Sequence, residues 1–374
     1  MTIAVIGLGG AGGNIANEAS LLGLPTGAIN FSQKDLDSLE NVKNKLKIMG
    51  SEGVGHDRNI AIELVQENYM MVVNFIKENF SNTFIDIIAF AFSTGGGSGS
   101  GIAPILIDVI SNIMPDKTII AIPVIPDVSE VTISQSNCSE TFEELSKLDV
   151  CIFPIDNQQV KLLNPQIGKG KLYERTNVYI IEKLNKLVSY TDKYSKNGNF
   201  DRKDFVTLLR QKGMAIISET NIVSLPEVDL TPEGIAASIQ ESWEHSIFAP
   251  IEYEHVAKCG IIFDGQEDLM GLINHSLIFD KFTYGTPIDL FEGNYHEQNG
   301  TILTILTGLP WCKSRLSIVD KLLEEGSKKV EVQIGANQSQ EYKSKSNDLA
   351  QRFRQPTSQV KQNVSDILNR YKRV

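Results

Sequence analysis

The stretch Ser93-Thr94-Gly95-Gly96-Gly97-Ser98-Gly99-Ser100-Gly101 places five glycines within seven residues. Before it stands the apolar run Ile85-Asp86-Ile87-Ile88-Ala89-Phe90-Ala91-Phe92, which reads as a buried parallel strand. After it, Ile102-Ala103-Pro104-Ile105-Leu106-Ile107-Asp108-Val109-Ile110 reads as a helix. Glycines at such a junction let the backbone approach a ligand closely and take positive φ. The helix start beyond them offers unpaired N–H groups and the positive end of a dipole. A polyphosphate suits that geometry, with the hydroxyls of Thr94, Ser98 and Ser100 at hand. A flexible Gly/Ser linker is the plain alternative, but linkers are not set between a buried strand and an apolar helix. A Walker P-loop is excluded because no Gly-Lys-Ser/Thr follows.

A second glycine turn stands near the N-terminus, after the strand Ile3-Ala4-Val5-Ile6 and before a helix at 14–22. Gly7, Gly9 and Gly12 satisfy GxGxxG, so a nicotinamide-dinucleotide site is one reading. That site needs a carboxylate at the end of the second strand for the ribose, and Gly27-Ala28-Ile29-Asn30-Phe31 supplies Asn30 instead. Strands at 118–124 and 150–154 alternate with helices at 58–79 and 130–147, the pattern of a doubly wound parallel sheet. Asp57 is placed to cap the helix at 58–79.

Together, Gly9-Gly10-Ala11-Gly12-Gly13-Asn14, Gly-Gly-Gly-Ser-Gly-Ser-Gly at 95–101 and Asn199-Phe200-Asp201-Arg202-Lys203-Asp204 resemble the tubulin/FtsZ superfamily in order and spacing. The resemblance covers residues 3 to about 335. It implies a tubulin-like α/β fold: a Rossmann-type parallel-sheet GTP-binding domain (1–176), a central helix leading into a catalytic loop (177–198), a second, polymer-forming α/β domain (199–335), and a basic linker with an amphipathic tail helix (336–374). GTP and GDP are the implied ligands, with Mg²⁺. By the same resemblance Gly9, Gly10, Ala11, Gly12, Thr94, Gly95, Gly96, Gly97, Ser98 and Gly99 meet the phosphates, and Asn14 the guanine. Ser32 and Gln33 stand in the second nucleotide loop, and Gly50–Asp57 resembles the loop that senses the γ-phosphate. Glu130 is expected at the ribose, Asp156 or Asn157 at ribose or base, and Asn177 at the guanine, although Asn177 serves equally as a helix cap. The family pairs Glu130 with an Arg four residues on; Ser134 stands here instead.

Asn199, Asp201 and Asp204 match the catalytic loop that enters the next subunit's site in tubulin-like polymers. Read on their own, Asp201 and Asp204 cap a helix N-terminus, and both roles are compatible. Ile180, Ile181, Leu184, Leu187, Val188 and Tyr194 lie on one face of the central helix, expected at 177–195. Further strands are expected at 214–224, 258–263, 285–292, 301–307 and 328–334, and helices at 231–243, 266–278 and 311–325.

The net charge of −11 is unevenly placed: residues 336–374 hold eight Lys/Arg against three Asp/Glu, the remainder 27 against 43. An acidic body with a basic tail marks a partner-binding end. After Pro356, Val360, Val364, Ile367, Leu368 and Tyr371 form one apolar helical face. The four cysteines form no CxxC and the five histidines no HExxH, so no disulfide framework and no protein-held metal site are expected. No apolar run reaches the ~20 residues of a membrane span, and a cytoplasmic protein without membrane contact is expected. The resemblance is greatest to the TubZ group, whose filaments move plasmid or phage DNA. This implies self-assembly, and contact with DNA mainly through a DNA-binding adaptor held by the tail. A cell-division or other cytoskeletal GTPase of the same fold, and a NAD(P)-dependent enzyme, are the alternatives.

Overall fold

A computed structural model describes residues 1–166, 168–297 and 300–338, without the side chains of 169 and 329–338. The first half reads β1 (Thr2–Leu8), α1 (Gly9–Leu21), β2 (Thr26–Asn30), α2 (Gln33–Asp37), β3 (Asn44–Lys47), α3 (Arg58–Glu67), α4 (Tyr69–Phe80), β4 (Ile85–Ser93), α5 (Ser98–Ile113), β5 (Thr118–Ile125) and α6 (Thr132–Leu145). There follow β6 (Cys151–Ile152), β7 (Ile155–Asp156), α7 (Asn157–Leu163), α8 (Lys169–Tyr190), α9 (Arg202–Leu209), β8 (Gly213–Asn221) and α10 (Pro232–Glu244). The last elements are β9 (Lys258–Asp264), α11 (Glu267–Met270), α12 (His275–Ile278), β10 (Asp289–Tyr295), β11 (Thr301–Leu309) and α13 (Lys313–Gln338).

One sheet runs through the molecule in the order β10-β9-β11-β8-β6-β5-β4-β1-β2-β3, with β7 beside β5. Among the described strands only β11 is antiparallel to its neighbours. The segment β3-β2-β1-β4-β5-β6 has the strand order of a dinucleotide-binding sheet, which reverses direction between β1 and β4. Ligands bind at the carboxyl ends of strands at such a reversal. Both glycine turns lie there, one after β1 and one after β4. Residues 87–92 of β4 and all of β5 are buried, as the near-continuous apolar runs of central parallel strands require. The join between the two halves is narrow, since β6 meets β8 at only two register positions, Cys151–Gly213 and Ile152–Met214.

Several expectations need correction. The helix expected at 58–79 breaks at Asn68, whose side-chain amide bonds the carbonyl of Leu64 at 2.8 Å. The central helix begins at Lys169 and ends at Tyr190. Ile180, Ile181, Leu184 and Leu187 are buried on it as expected, but Tyr194 lies beyond its end, 81% exposed. The helix at 266–278 is two short turns separated by Gly271, with Asn274 capping the second. The strand at 285–292 begins later, at Asp289. No strand forms at 328–334, because α13 runs through it. Alternating Val330, Val332 and Ile334 mimic a strand, yet Leu316, Val319, Leu323, Gly326 and Val330 continue a helical stripe. α13 packs on α6, and a Cβ on Gly326 would stand 2.5 Å from Thr132. Residues 336–338, expected as linker, complete this helix; the tail helix expected after Pro356 lies outside the described residues.

Candidate functional site

Two glycine loops and the 50–57 turn build a cleft of about 440 Å³ at the carboxyl ends of β1 and β4. Gly9 takes φ of 71°, so the turn out of β1 requires glycine. A Cβ on Gly12 would stand 2.0 Å from the Ala91 carbonyl oxygen, so α1 lies directly on β4. The two loops abut: a Cβ on Gly9 would meet the Gly99 nitrogen at 3.0 Å. Gly96 and Gly97 were expected to need positive φ and neither takes it. Gly97 is required for space instead, since its Cβ would lie 2.7 Å from the His56 carbonyl carbon and 2.8 Å from the Asp57 nitrogen. Gly97 caps α5 without a side-chain bond, which leaves the first N–H groups of that helix for a ligand.

The cleft brings together Gly9, Gly10, Ala11, Ser32, Gly95, Gly96, Gly97, Ser98, Gly99 and Glu130. Other expected residues serve elsewhere. Thr94 is buried and donates its hydroxyl to the Val124 carbonyl at 2.9 Å. Ser100 donates to the carbonyls of Gly96 and Gly97, so of the three expected hydroxyls Ser98 is the one at the cleft. Gly12 packs beneath the cleft, and Gln33 turns away to bond Asp37 at 2.8 Å. Asn14 is exposed on α1, one turn before Glu18 on the same face. Burial, with the charge of Glu174 on α8, holds the Glu18 carboxyl above its usual range, so this face of α1 looks toward α8. Asn177 lies three residues beyond Glu174, in the third turn of α8, so it does not cap that helix.

Asp156 is withdrawn from the cleft. Its carboxylate accepts from Gln158 N at 3.0 Å and from Nε of Arg315 at 2.8 Å, both partners of the ion pair being 2% exposed. Arg315 also donates to the Pro126 carbonyl at 2.6 Å. Burial raises the Asp156 carboxyl, against the pull of Arg315. Asn157 is the buried first residue of α7 and does not line the cleft. Ser134 is also buried, 3.1 Å from the Cβ position of Gly95.

Further residues shape the walls of the cleft, and of these Asn137 alone carried no expectation. Asn30 accepts from the N–H groups of Phe31 at 2.8 Å and Ser32 at 3.2 Å, and donates to Asp35 at 3.1 Å, which shapes the wall after β2. His56 has φ of 66°, the one non-glycine residue in the left-handed region among the described residues. Such strain collects at ligand-binding turns. Asp57 caps α3 as expected, accepting from Asn59 N at 2.9 Å. Asn137 of α6 is 2% exposed, and its side-chain amide donates to the carbonyls of His56 at 2.9 Å, Gly95 at 3.2 Å and Gly96 at 3.3 Å. One side chain thereby ties the 50–57 turn to the glycine loop. The available signal was the run Ser134-Gln135-Ser136-Asn137, four polar residues buried within a helix, where each needs a partner.

The acidic loop lies at the other end of the sheet. Asp201 accepts from Asp204 N at 2.9 Å and Asp204 accepts from Asp201 N at 3.0 Å, so the capping reading is borne out as a reciprocal box. Burial, then the Asp201 charge, push the Asp204 carboxyl up despite its bond to the Asp201 amide. The loop is held from behind: the Tyr295 hydroxyl accepts from Phe200 N at 3.0 Å, and Asn199 Oδ1 accepts from Ser195 N at 2.6 Å. Arg202 pairs with Asp86, the second residue of β4. Asp201, Arg202, Lys203, Arg210, Asp86 and Asp116 share a surface groove of about 570 Å³. Ser93, at the far end of the same strand, lines the cleft. Seven residues separate the two ends, about 23 Å of extended strand.

Residues 2–164 match the Tubulin/FtsZ family, GTPase domain. The tubulin-like protein CetZ of Pyrococcus horikoshii is 28% identical over 335 residues, covering 85% of this chain and 88% of that protein. The tubulin-like protein TubZ of Clostridium botulinum C phage is 24% identical over 330 residues, 86% of this chain and 82% of that one. Bacillus thuringiensis serovar israelensis TubZ, solved as a GTPγS-form protofilament, superposes with a TM-score of 0.75 at 17% identity over 91% of this chain and 95% of that one. Residues 2–164 thus carry the match to the Tubulin/FtsZ GTPase domain, and the chain has the tubulin-like fold. The relatives include both CetZ and TubZ proteins. Among the described residues no helix is long and apolar enough to cross a membrane.

Proposed function

We propose that the chain hydrolyses GTP and polymerises head to tail, each active site being shared by two subunits. The observation behind this reading is the separation just described. The glycine cleft and the acids Asp201 and Asp204 occupy opposite ends of β4, so a chain cannot bring its own acids to its own cleft. Stacking one subunit on the next brings them together, and the relative solved as a protofilament supports such an assembly. Residues 1–176 then bind the nucleotide and 199–335 present the opposing face.

In this reading the N–H groups of the two glycine loops and of α5 hold the phosphates. Glu130 faces the ribose and Asn14 the base. The entering Asp201 and Asp204 orient and polarise the attacking water, and the raised Asp204 carboxyl suits it to accept a proton. Among the described residues no three His, Cys, Asp or Glu gather to hold a metal by themselves. The oxygens of Asp35, Glu52 and Ser98 are the hard donors that Mg²⁺ takes alongside nucleotide phosphates, whose charge it would neutralise.

Asp201→Asn and Asp204→Asn are expected to lower turnover by about 10²–10⁴-fold with GTP binding intact. Parental specific activity should rise with protein concentration near the assembly threshold; constant activity through dilution refutes a shared site.

The filament's role in this reading is to move plasmid or phage DNA through a DNA-bound adaptor gripped by the basic tail. The phage TubZ relative and the tail's excess of Lys/Arg support it. The CetZ relatives favour a second reading, a cytoskeletal filament without DNA cargo. Capture of native partners on full-length filaments and on filaments ending at residue 338 separates the two: a DNA-bound protein lost with the tail supports the first.

A further inference from the structure

The cleft is acidic for a phosphate site. Asp35, Glu52 and Glu130 line it, and no Lys or Arg does so among the described residues. Lys47, on the nearby strand, is paired with Glu52. The two buried arginines are committed elsewhere. Arg58 bonds Glu140 at 2.7 Å, Glu144 at 2.5 Å and the Ser100 carbonyl at 3.1 Å. Arg315 holds Asp156 and the Pro126 carbonyl. Ser134, where the resemblance expects an Arg, brings no charge. The starts of α1 and α5, both at the cleft, each supply an effective charge of only about +0.5. A triphosphate in this cleft therefore meets no Lys or Arg side chain from its own chain among the described residues.

The loop at the opposite end holds what is missing. Asp201, Arg202, Lys203 and Asp204 occupy one turn of α9, about 4.5 Å of rise. Arg202 is drawn toward Asp86 yet stays 57% exposed. Lys203 is exposed and lines the same groove. We propose that Lys203, with Arg202 beside it, reaches the γ-phosphate of the neighbouring subunit and supplies in trans the cationic side chain that the receiving cleft lacks. This rests on the shared-site reading above. In the step concerned, a water oxygen forms a bond to the γ-phosphorus while the bond from that phosphorus to the β–γ bridging oxygen breaks. The bridging oxygen keeps the electron pair and leaves on GDP, and the water's proton passes to the neighbouring carboxylate of Asp204. The ammonium of Lys203 stabilises the charge that builds on the phosphoryl oxygens as this happens.

The test uses the full chain with Lys203→Gln, Lys203→Arg and, as comparator, Asp201→Asn. A fluorescent GTP analogue reports affinity below the assembly threshold, and phosphate release is measured per pelleted subunit. Lys203→Gln should lower turnover per assembled subunit by about 10²-fold, and Lys203→Arg should recover most of it. Affinity of the dilute chain should not change in either variant, because the residue lies outside its own cleft. Where Lys203→Gln assembles poorly, copolymers with the parent protein should lose turnover in proportion to the variant fraction. A raised assembly threshold with parental turnover per assembled subunit would make Lys203 an interface charge only and overturn the proposal. Weakened GTP binding by the dilute variant would overturn it too, by placing the residue in cis. Parental turnover in Asp201→Asn would instead sink the shared site itself.

Discussion

Asn137→Ala removes the side chain that ties the 50–57 turn to the glycine loop. Three carbonyl oxygens surround one atom of Asn137 at 2.9, 3.2 and 3.3 Å, which identifies that atom as the amide nitrogen. An amide has two N–H groups, so two full bonds are lost and the third contact is shared. At a net value of about 1 kcal/mol per bond, the loss is about 2 kcal/mol. The bound nucleotide needs both loops in place, so the loss should appear as a GTP affinity weakened by about 30-fold, at 1.4 kcal/mol per tenfold. Asn137→Asp sharpens the test. It preserves shape but turns a carboxylate toward the same three carbonyls, and the repulsion should make it worse than alanine. Calorimetric titration of GTP into protein below its assembly threshold gives the ranking, with thermal melts to show that each variant is folded. Parental affinity in Asn137→Asp, or equal defects in both variants, would refute the claim that this amide organises the cleft.

Gly97→Val should abolish nucleotide binding, because its side chain would enter the backbone at His56 and Asp57. Gly96→Ala, with nothing within 4 Å of its Cβ position, should fold normally and lose affinity only through the volume it takes from the cleft; equal damage by both in a GTP titration would refute that distinction. Arg315→Ala leaves the buried Asp156 carboxylate uncompensated and should cost about 3–5 kcal/mol of stability at neutral pH. Asp156 already titrates above its ordinary value, and losing Arg315 raises it further. A raised acid stabilises fully below its unfolded value and loses that contribution as pH climbs through the folded one. The Arg315→Ala deficit should therefore shrink on acidification toward the ordinary carboxylate range. Urea denaturation across pH checks this, and a deficit that grows toward acid would refute it.

The parts of the site legible in sequence are those whose cause is local. The glycine turns, the Asp57 cap and the Asp201–Asp204 box each lie within a few residues, so spacing alone reveals them. Asn137 and Arg315 were hidden because their partners stand 81 and 159 residues away, and an isolated Asn or Arg in a helix does not name its acceptor. The same cause misplaced Asp156: a carboxylate after a strand suits a ribose, and only the fold shows that α13 returns to claim it. The withdrawal of Thr94 and Ser100 has a similar origin, since their hydroxyls bond carbonyls that only the folded loop brings near. In α13, residues 328–334 satisfied two periodicities at once, and the helix that begins at Lys313 continues through them.

The two-rung joint between β6 and β8 has a mechanical consequence. β1 and β4 are laced together at seven register positions, whereas β6 and β8 meet at two, Cys151–Gly213 and Ile152–Met214. Resistance to bending across a sheet grows with the number of rungs that must deform together, so within the sheet this join is the softer line, braced from outside by α13 on α6 and by the Arg315–Asp156 pair. If subunits are stacked as proposed, tension or curvature applied along the row concentrates at Cys151 and Ile152. The elasticity of the whole assembly is then set at the middle of each link, by these two rungs together with the packing of α13 on α6 and the Arg315–Asp156 pair.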